Sequence, residues 1–344
     1  QQALNEASPA GHASRNSTFY TSTLFDSLLN QRLDGENGGG ASSFGLGRGV
    51  LEYFIGGDRN KGSSSTDAYG HSGDASHDSV MWLQGMGTYA SVDPNGAFGG
   101  VDVSSSGVAI GVDTSIYAGT RIAAAFGYHS SNADMTGVNS GDGSDASGWL
   151  ISSGIHHQTN QTYLSGSVSA GFHSFDETRR DNIFMNTYTA SYDGSHFNVS
   201  GEVGHEIEMG DKTLTPFIAG TYHHASFDGY TETGGPLALT VGSQSYDVSF
   251  IDVGARAKAQ VGQIDVEGLL GYRVGFGDGD DAISATLNGT SFNTDANLDV
   301  DGVIAGIGVS IANDSGFDAS VNYKGIFGDG VGAHILSASV KKRF

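Results

Sequence analysis

A long run in which apolar and polar residues strictly alternate leaves a chain one regular structure, the β-strand, whose side chains point to opposite faces in turn. From Ser79 to its end this chain keeps that alternation. Phe317, Ala319, Val321, Tyr323 and Phe327 fall on one parity, and Asp318, Ser320, Asn322 and Lys324 on the other. Ile122, Ala124, Phe126 and Tyr128 likewise oppose Arg121, Ala123 and His129, and Leu164, Val168 and Phe172 oppose Ser165, Ser167 and His173. In the next part of the chain, Ile264, Val266, Leu270, Tyr272, Val274 and Phe276 oppose Asp265, Glu267 and Arg273. Twelve strands are expected, near 79–92, 103–116, 120–131, 145–157, 161–175, 187–209, 212–225, 240–261, 263–276, 298–312, 315–327 and 332–344.

A water-soluble barrel turns its aliphatic face inward; a membrane barrel inverts this, with apolar residues toward lipid, polar ones toward a lumen and aromatics at the interfaces. Two features favour inversion. Charges sit mid-strand on the polar face, where a lumen hydrates or pairs them. The connectors also alternate: those at 117–119, 159–160, 210–211, 262 and 313–314 are short, and those near 93–102, 132–144, 176–186, 226–239, 277–297 and 328–331 are mostly long. Short turns on one side and long loops on the other are the outer-membrane pattern. An even strand count returns both barrel ends to the short-turn side. The fold expected is all-β: a twelve-stranded antiparallel transmembrane β-barrel.

Composition agrees. The 54 glycines suit twisted, bulged strands, and the 4 prolines interrupt few ladders. The net charge of −22 argues against nucleic acid as a partner. No run of ~20 apolar residues exists to make a membrane-spanning helix, and there are no cysteines to staple loops. The first residue is Gln, which reads as a mature form or an excised C-terminal piece.

Ahead of the barrel, residues 1–15 read as linker or the remnant of something longer, and 35–78 as a Gly/Ser-rich linker broken only by Val50–Ile55. Between them, 16–34 is expected to be a helix capped by Asn16 or Ser17 and stopped at Gly35, with Tyr20, Leu24, Leu28 and Leu29 at helical spacing. About 17 residues of helix span roughly 25 Å, close to the apolar band of an outer membrane. Its polar flanks forbid contact with lipid, so if it crosses the bilayer it does so inside the lumen. A surface helix on a soluble sheet is the other reading of this stretch.

Chemistry finds little purchase. His156-His157 and His223-His224 are strand neighbours pointing to opposite faces, so neither pair chelates one ion. His129, His173 and His223 share the lumenal parity and are expected to line the pore near its outer end. Asp142–Asp145 and Asp278–Asp281 lack the spacing of a calcium loop and read as solvated acidic loops. No G-x-S-x-G elbow, H-E-x-x-H or P-loop occurs. No metal site, cofactor or enzymatic activity is expected.

With these residues in view, the chain resembles the C-terminal translocator (β-) domain of autotransporters, the type V secretion proteins. The resemblance rests on Met81-Trp82-Leu83-Gln84-Gly85, on Gly107–Asp113 followed by Gly127-Tyr128, and on Leu214–Tyr222. The strand ending on Phe344, with Leu336, Ala338 and Val340 on its face, resembles the assembly signal of outer-membrane barrels, although Lys342 interrupts its apolar parity. The resemblance implies a barrel with an α-helix in its lumen, joined to a passenger upstream. It further implies export of that passenger to the cell surface, and as partners the barrel assembly machinery, outer-membrane lipid and lipopolysaccharide. Residues 1–15 would be what is left of the passenger. Some members of the family cut the passenger off between paired asparagines; no Asn-Asn pair occurs near Arg15–Ser17 or Asn30-Gln31, which puts self-cleavage in doubt. The polar residues expected to touch the helix are Arg121, Asp265, Glu267, Arg273, Asp318, Asn322 and Lys324. Two other readings stay open, a stand-alone pore or surface-adhesive barrel and a barrel-embedded hydrolase.

Overall fold

The computed structural model describes residues 13–19, 21–22, 79–94, 99–181, 184–262, 264–276, 283–294, 301–312 and 317–343. In chain order the strands are β1 (Ser79–Val92), β2 (Val101–Tyr117), β3 (Thr120–Met135), β4 (Gly143–Thr159), β5 (Thr162–Arg180), β6 (Thr187–His205), β7 (Ile207–Met209), β8 (Lys212–Phe227) and β9 (Tyr230–Thr231). They continue as β10 (Thr240–Val241), β11 (Gln244–Val261), β12 (Ile264–Phe276), β13 (Ile283–Leu287), β14 (Thr290–Thr294), β15 (Gly302–Ala312), β16 (Phe317–Phe327) and β17 (Val331–Arg343).

Every large strand pairs antiparallel with its neighbours, and β1 closes the ring on β17 from Val80↔Arg343 to Val92↔Val331. Both β6 and β7 pair with β8, so they occupy one place, interrupted at Glu206, whose N–H donates to the Gln161 carbonyl instead. The result is a closed barrel of twelve strands. No helix among the described residues is long and apolar enough to cross a membrane; strands do the crossing.

The faces are inverted as the alternation requires. Leu164, Leu270 and Val340 are more than half exposed on the outside, while Glu267, Arg273, Arg121 and Asp318 are buried on the inside. Outward-facing Phe126, Tyr128, Trp149, Phe172, Phe197 and Tyr222 are all exposed on neighbouring strands. Beyond them the same face carries Ser130, Asp134, Asp145, Ser174, Asp176 and Asp193. That change marks the outer edge of the apolar band.

The short turns are built on positive φ: Gly119 (φ 72), Asn160 (φ 55), Gly210 (φ 70) and Gly262 (φ 67), the two-residue geometry that matches strand twist. Ser79 pairs with Thr114 at the short-turn end of β2, so the barrel both starts and finishes there.

Four features depart from the sequence expectation. The helix has already formed at residue 13, ahead of the expected cap at Asn16. The strand expected at 187–209 is broken at Glu206. The strand expected at 240–261 begins in the barrel only at Gln244, because Thr240 and Val241 leave to pair elsewhere. Finally, the stretches 226–239 and 277–297, read as loops, contribute strands to a second sheet, ordered β14-β13-β10-β9. Its Tyr230, Val241, Ile283 and Ala285, with Leu239 just ahead of β10, join the buried core with Ala13 and Phe19 of the helix. The wall is uneven as well. β5 and β6 have 19 residues and β15 and β16 have 11; at ~3.3 Å per residue and a tilt of ~40° that is about 20 Å of extra height.

Candidate functional site

Residues 13–19 and 21–22 are helical and every one of them is buried, although only Ala13 and Phe19 are apolar. A polar helix is buried without penalty only where its side chains find partners. Most of these do, on the inner face of the barrel. Ser14 Oγ donates to Glu177 Oε1 at 2.7 Å and lies 2.8 Å from Ser144 Oγ and 2.8 Å from the Tyr192 hydroxyl. Ser17 donates to Ser131 at 2.7 Å, Thr21 lies 3.1 Å from Ser105 Oγ, and Ser22 lies 3.1 Å from His223 Nδ1. Arg15 donates to Gln244 at 3.1 Å, and its carbonyl accepts from Tyr246 at 3.1 Å. The partners come from β2, β3, β4, β5, β6, β8 and β11, so the helix lies inside the lumen. They also fix its direction. Ser144 and Glu177 are close to the long-loop ends of β4 and β5, whereas Ser105 and His223 lie several residues deeper. The chain enters from the long-loop end and descends.

The lumen is layered. At the outer end Glu177 accepts from Tyr192, from Tyr230 at 2.6 Å and from Ser14, a carboxylate saturated by hydroxyls. Tyr192 and Tyr230 stack with centroids 4.5 Å apart. Alongside, Arg179 makes a bidentate pair with Glu232 at 2.8 and 2.6 Å and donates to the Leu237 carbonyl, which pins the connection between β8 and β11 to β5.

Below this runs a row of imidazoles. His129 Nε2 lies 2.8 Å from His173 Nδ1, and His173 Nε2 lies 2.6 Å from His196 Nδ1. His196 stacks on His223 with centroids 5.7 Å apart, and His223 Nε2 reaches the Tyr246 hydroxyl at 3.2 Å. The row crosses β4 because Gly148 lies there between His129 and His173. A Cβ on Gly148 would sit 2.7 Å from His173 Nδ1 and 3.0 Å from His129 Nε2.

The inner part of the lumen is charged and paired across strands. Arg121 bonds Asp113 and Ser115, and Arg256 bonds Glu202 and Tyr163. Arg273 makes a bidentate pair with Asp252 at 2.7 and 2.8 Å; Lys258 lies 3.3 Å from Asp265, and Lys341 3.2 Å from Asp318.

Of the residues expected to touch the helix, Arg121, Asp265, Glu267, Arg273, Asp318 and Asn322 are buried in the lumen and Lys324 is half-buried. The bonds given above for Arg121, Arg273, Asp265 and Asp318 run to neighbouring strands. The partners of Ser14, Ser17, Thr21 and Ser22 are instead the serines, Glu177, Tyr192 and His223 of the outer half. Serine on an inward parity is too common in this chain to single these out. His196 had a usable signal, since it shares its parity with Tyr192 and Asn198 on one strand. Tyr20, Leu24, Leu28, Leu29 and Phe344 lie outside the described residues, as do Val50–Ile55 and Asp278–Asp281. Leu336, Ala338 and Val340 face outward on β17. Asp142 is a buried turn residue that accepts the Arg180 N–H at 2.7 Å. Among the described residues no group of three or more His, Asp or Glu side chains has the geometry to hold a metal ion.

The family model of the autotransporter beta-domain matches residues 81–324. Among solved structures the barrel is similar to the translocator domain of the autotransporter NalP from Neisseria meningitidis, at 16% identity and a TM-score of 0.65, over 78% of this chain and 89% of that one. It is similar to the β-domain of the Bordetella autotransporter BrkA at 17% identity and a TM-score of 0.57, over 78% and 99% of the two chains. The transport unit of AIDA-I from Escherichia coli follows at 11% identity and a TM-score of 0.55, over 77% and 90%. No curated protein sequence matches the chain.

Proposed function

The chain belongs to the autotransporter β-domain family, and from that premise we propose how its parts divide the work. It is a translocator barrel of the bacterial outer membrane with a linked passenger. The barrel exports that passenger, and the N-terminal helix then stays in the lumen as anchor and plug. Its work is transport and anchoring rather than catalysis.

The observation that supports the plug is the burial of every described residue of a mostly polar helix whose hydroxyls bond six strands of the wall, with Arg15 bonding a seventh. A stand-alone open pore has no use for such a helix. The paired charges of the inner half, including Arg121, Arg273, Asp265, Glu267 and Asp318, give an extended passenger a hydrated path in which no strong net charge holds it. Asn322 and Lys324 line the same path. The outward Leu336, Ala338 and Val340, with Phe344, present the strand that the barrel assembly machinery reads. Lipid and lipopolysaccharide surround the apolar face.

The test is conductance in planar bilayers, comparing the full chain with one lacking residues 1–34. Small currents that rise sharply on truncation are expected. Equal, large currents from both would overturn the plug.

A further inference from the structure

The histidine row has no part in the scheme above, yet it is built with care. Four imidazoles from β3, β5, β6 and β8 stand side by side on the inner wall, with centroids 4.9, 4.9 and 5.7 Å apart. Two inward glycines keep the space open: a Cβ on Gly148 would press on His129 and His173, and one on Gly171 would sit 2.7 Å from His196 Nδ1. The last ring touches the helix twice. Phe19 meets His223 edge to face at 5.6 Å, and Ser22 Oγ lies 3.1 Å from His223 Nδ1.

Hydrogen-bond arithmetic limits how many protons this geometry can hold. A ring-to-ring N–H···N bond requires one nitrogen of each pair to be a bare acceptor. The His129–His173–His196 run therefore holds one proton per bond. The nitrogens at its two ends, His129 Nδ1 and His196 Nε2, are buried without a hydrogen-bond partner among the described residues. With all three rings neutral, both bonds point the same way along the row, and one of these ends is a vacant base, open to a proton. Protons added beyond the first make neighbouring rings cations with centroids less than ~6 Å apart, in a site that water screens poorly. The charged group that the described helix brings to this level is also a cation: Arg15 lies 5.7 Å from the Tyr246 ring, and Tyr246 contacts His223. The other titratable groups facing the row are few. β5, β6 and the connection between β8 and β11 bring Glu177, Tyr192 and Tyr230 one layer outward, with Glu177 already saturated by hydroxyls; β11 brings Tyr246. His224 lies on the outer face of β8 beside Asp247. β3 and β4 add Ser131 and Leu150, which do not titrate.

We propose that the row of His129, His173, His196 and His223 is a pH-sensitive lock on the lumenal helix, closed while the rings are neutral and released when protons load it. Protonation spreads the rings, repels Arg15 and loosens the grip on Phe19 and Ser22, so acid opens the pore. The inference rests on the helix being the plug.

The test is single-channel current through the full chain at about pH 7.5 and about pH 3, the lower value chosen well below the ordinary histidine range because the row is buried. It is compared with the double variant His173→Gln/His196→Gln, whose side chains hydrogen-bond without charging. The full chain should pass small currents at neutral pH and rise at least ~10-fold in acid, reversibly. The double variant should stay closed at both values. A small current at both pH values, or the same acid step in the double variant, overturns the lock and leaves the plug standing. A large current already at neutral pH overturns the plug and the lock together. Where the double variant does not insert, His129→Gln alone is read instead: its opening should need lower pH, and an unchanged threshold overturns the lock.

Discussion

Gly148 shows what a single side chain decides in this lumen. Its backbone is flanked by two histidines that touch across it, so even a methyl group collides with His173, His129 and the Phe172 carbonyl. Gly148→Ala should lower the unfolding midpoint, seen as the temperature at which the folded gel band is lost, by the equivalent of about 1–3 kcal/mol. The same substitution at outward Gly220, where a Cβ meets nothing within 4 Å, should leave it unchanged. Asp142, in the long-loop connection between β3 and β4, gives a pH effect of known sign. Its burial pushes the carboxyl up from 3.8 to about 6, only partly offset by the Arg180 N–H. The folded turn therefore binds more protons than the unfolded one between these values, and its stability is greatest below 3.8 and falls as pH rises through 6. Exchange of the amides at 137–142, corrected for intrinsic rate, should be slower at about pH 5 than at about pH 7.5, by an amount on the order of 1 kcal/mol.

At the level of elements, the twelve barrel strands were legible because lipid and lumen impose a period of two over ten or more residues. The second sheet was not legible: β9 and β10 are two residues long and β13 and β14 five, too short for a period to declare itself. What holds the β8–β11 connection in place is tertiary, the buried pair Arg179–Glu232 with the Leu237 carbonyl. Nothing in T-R-R or Y-T-E-T announces that they meet. Arg179→Ala should leave Glu232 buried without its partner at a cost of about 3–5 kcal/mol. That should show first as faster protease cleavage within 228–243 on intact cells while the barrel stays folded. The helix was legible as a helix and as polar. Its start was misplaced because serine and asparagine favour caps in isolation, whereas here Ser131 on the wall holds Ser17 inside the helix.

For the molecule as a whole, inversion was the decisive inference, and it rested on charges placed mid-strand and on loop asymmetry rather than on hydropathy. It has a direct test. Leu270 is 65% exposed on the outer face of β12, and Leu269, its neighbour, is buried toward the lumen. Arginine at 270 should destabilise the barrel in lipid by about 2–4 kcal/mol, as expected for a cation on the lipid-facing side near mid-membrane. An equal loss in detergent and in bilayers would contradict the assignment of that face.

The direction of the helix also has a consequence for the thread as a whole. Twelve strands are an even number of passes and would by themselves bring the chain back to the side it left. At residue 13 the chain stands at the long-loop end, and at Ser79 it stands at the opposite one, so the path acquires an odd parity. A segment spliced in ahead of Ala13 and a segment attached beyond Arg343 thus face different compartments, and the barrel works as a rivet with one head on each side of the sheet it fastens.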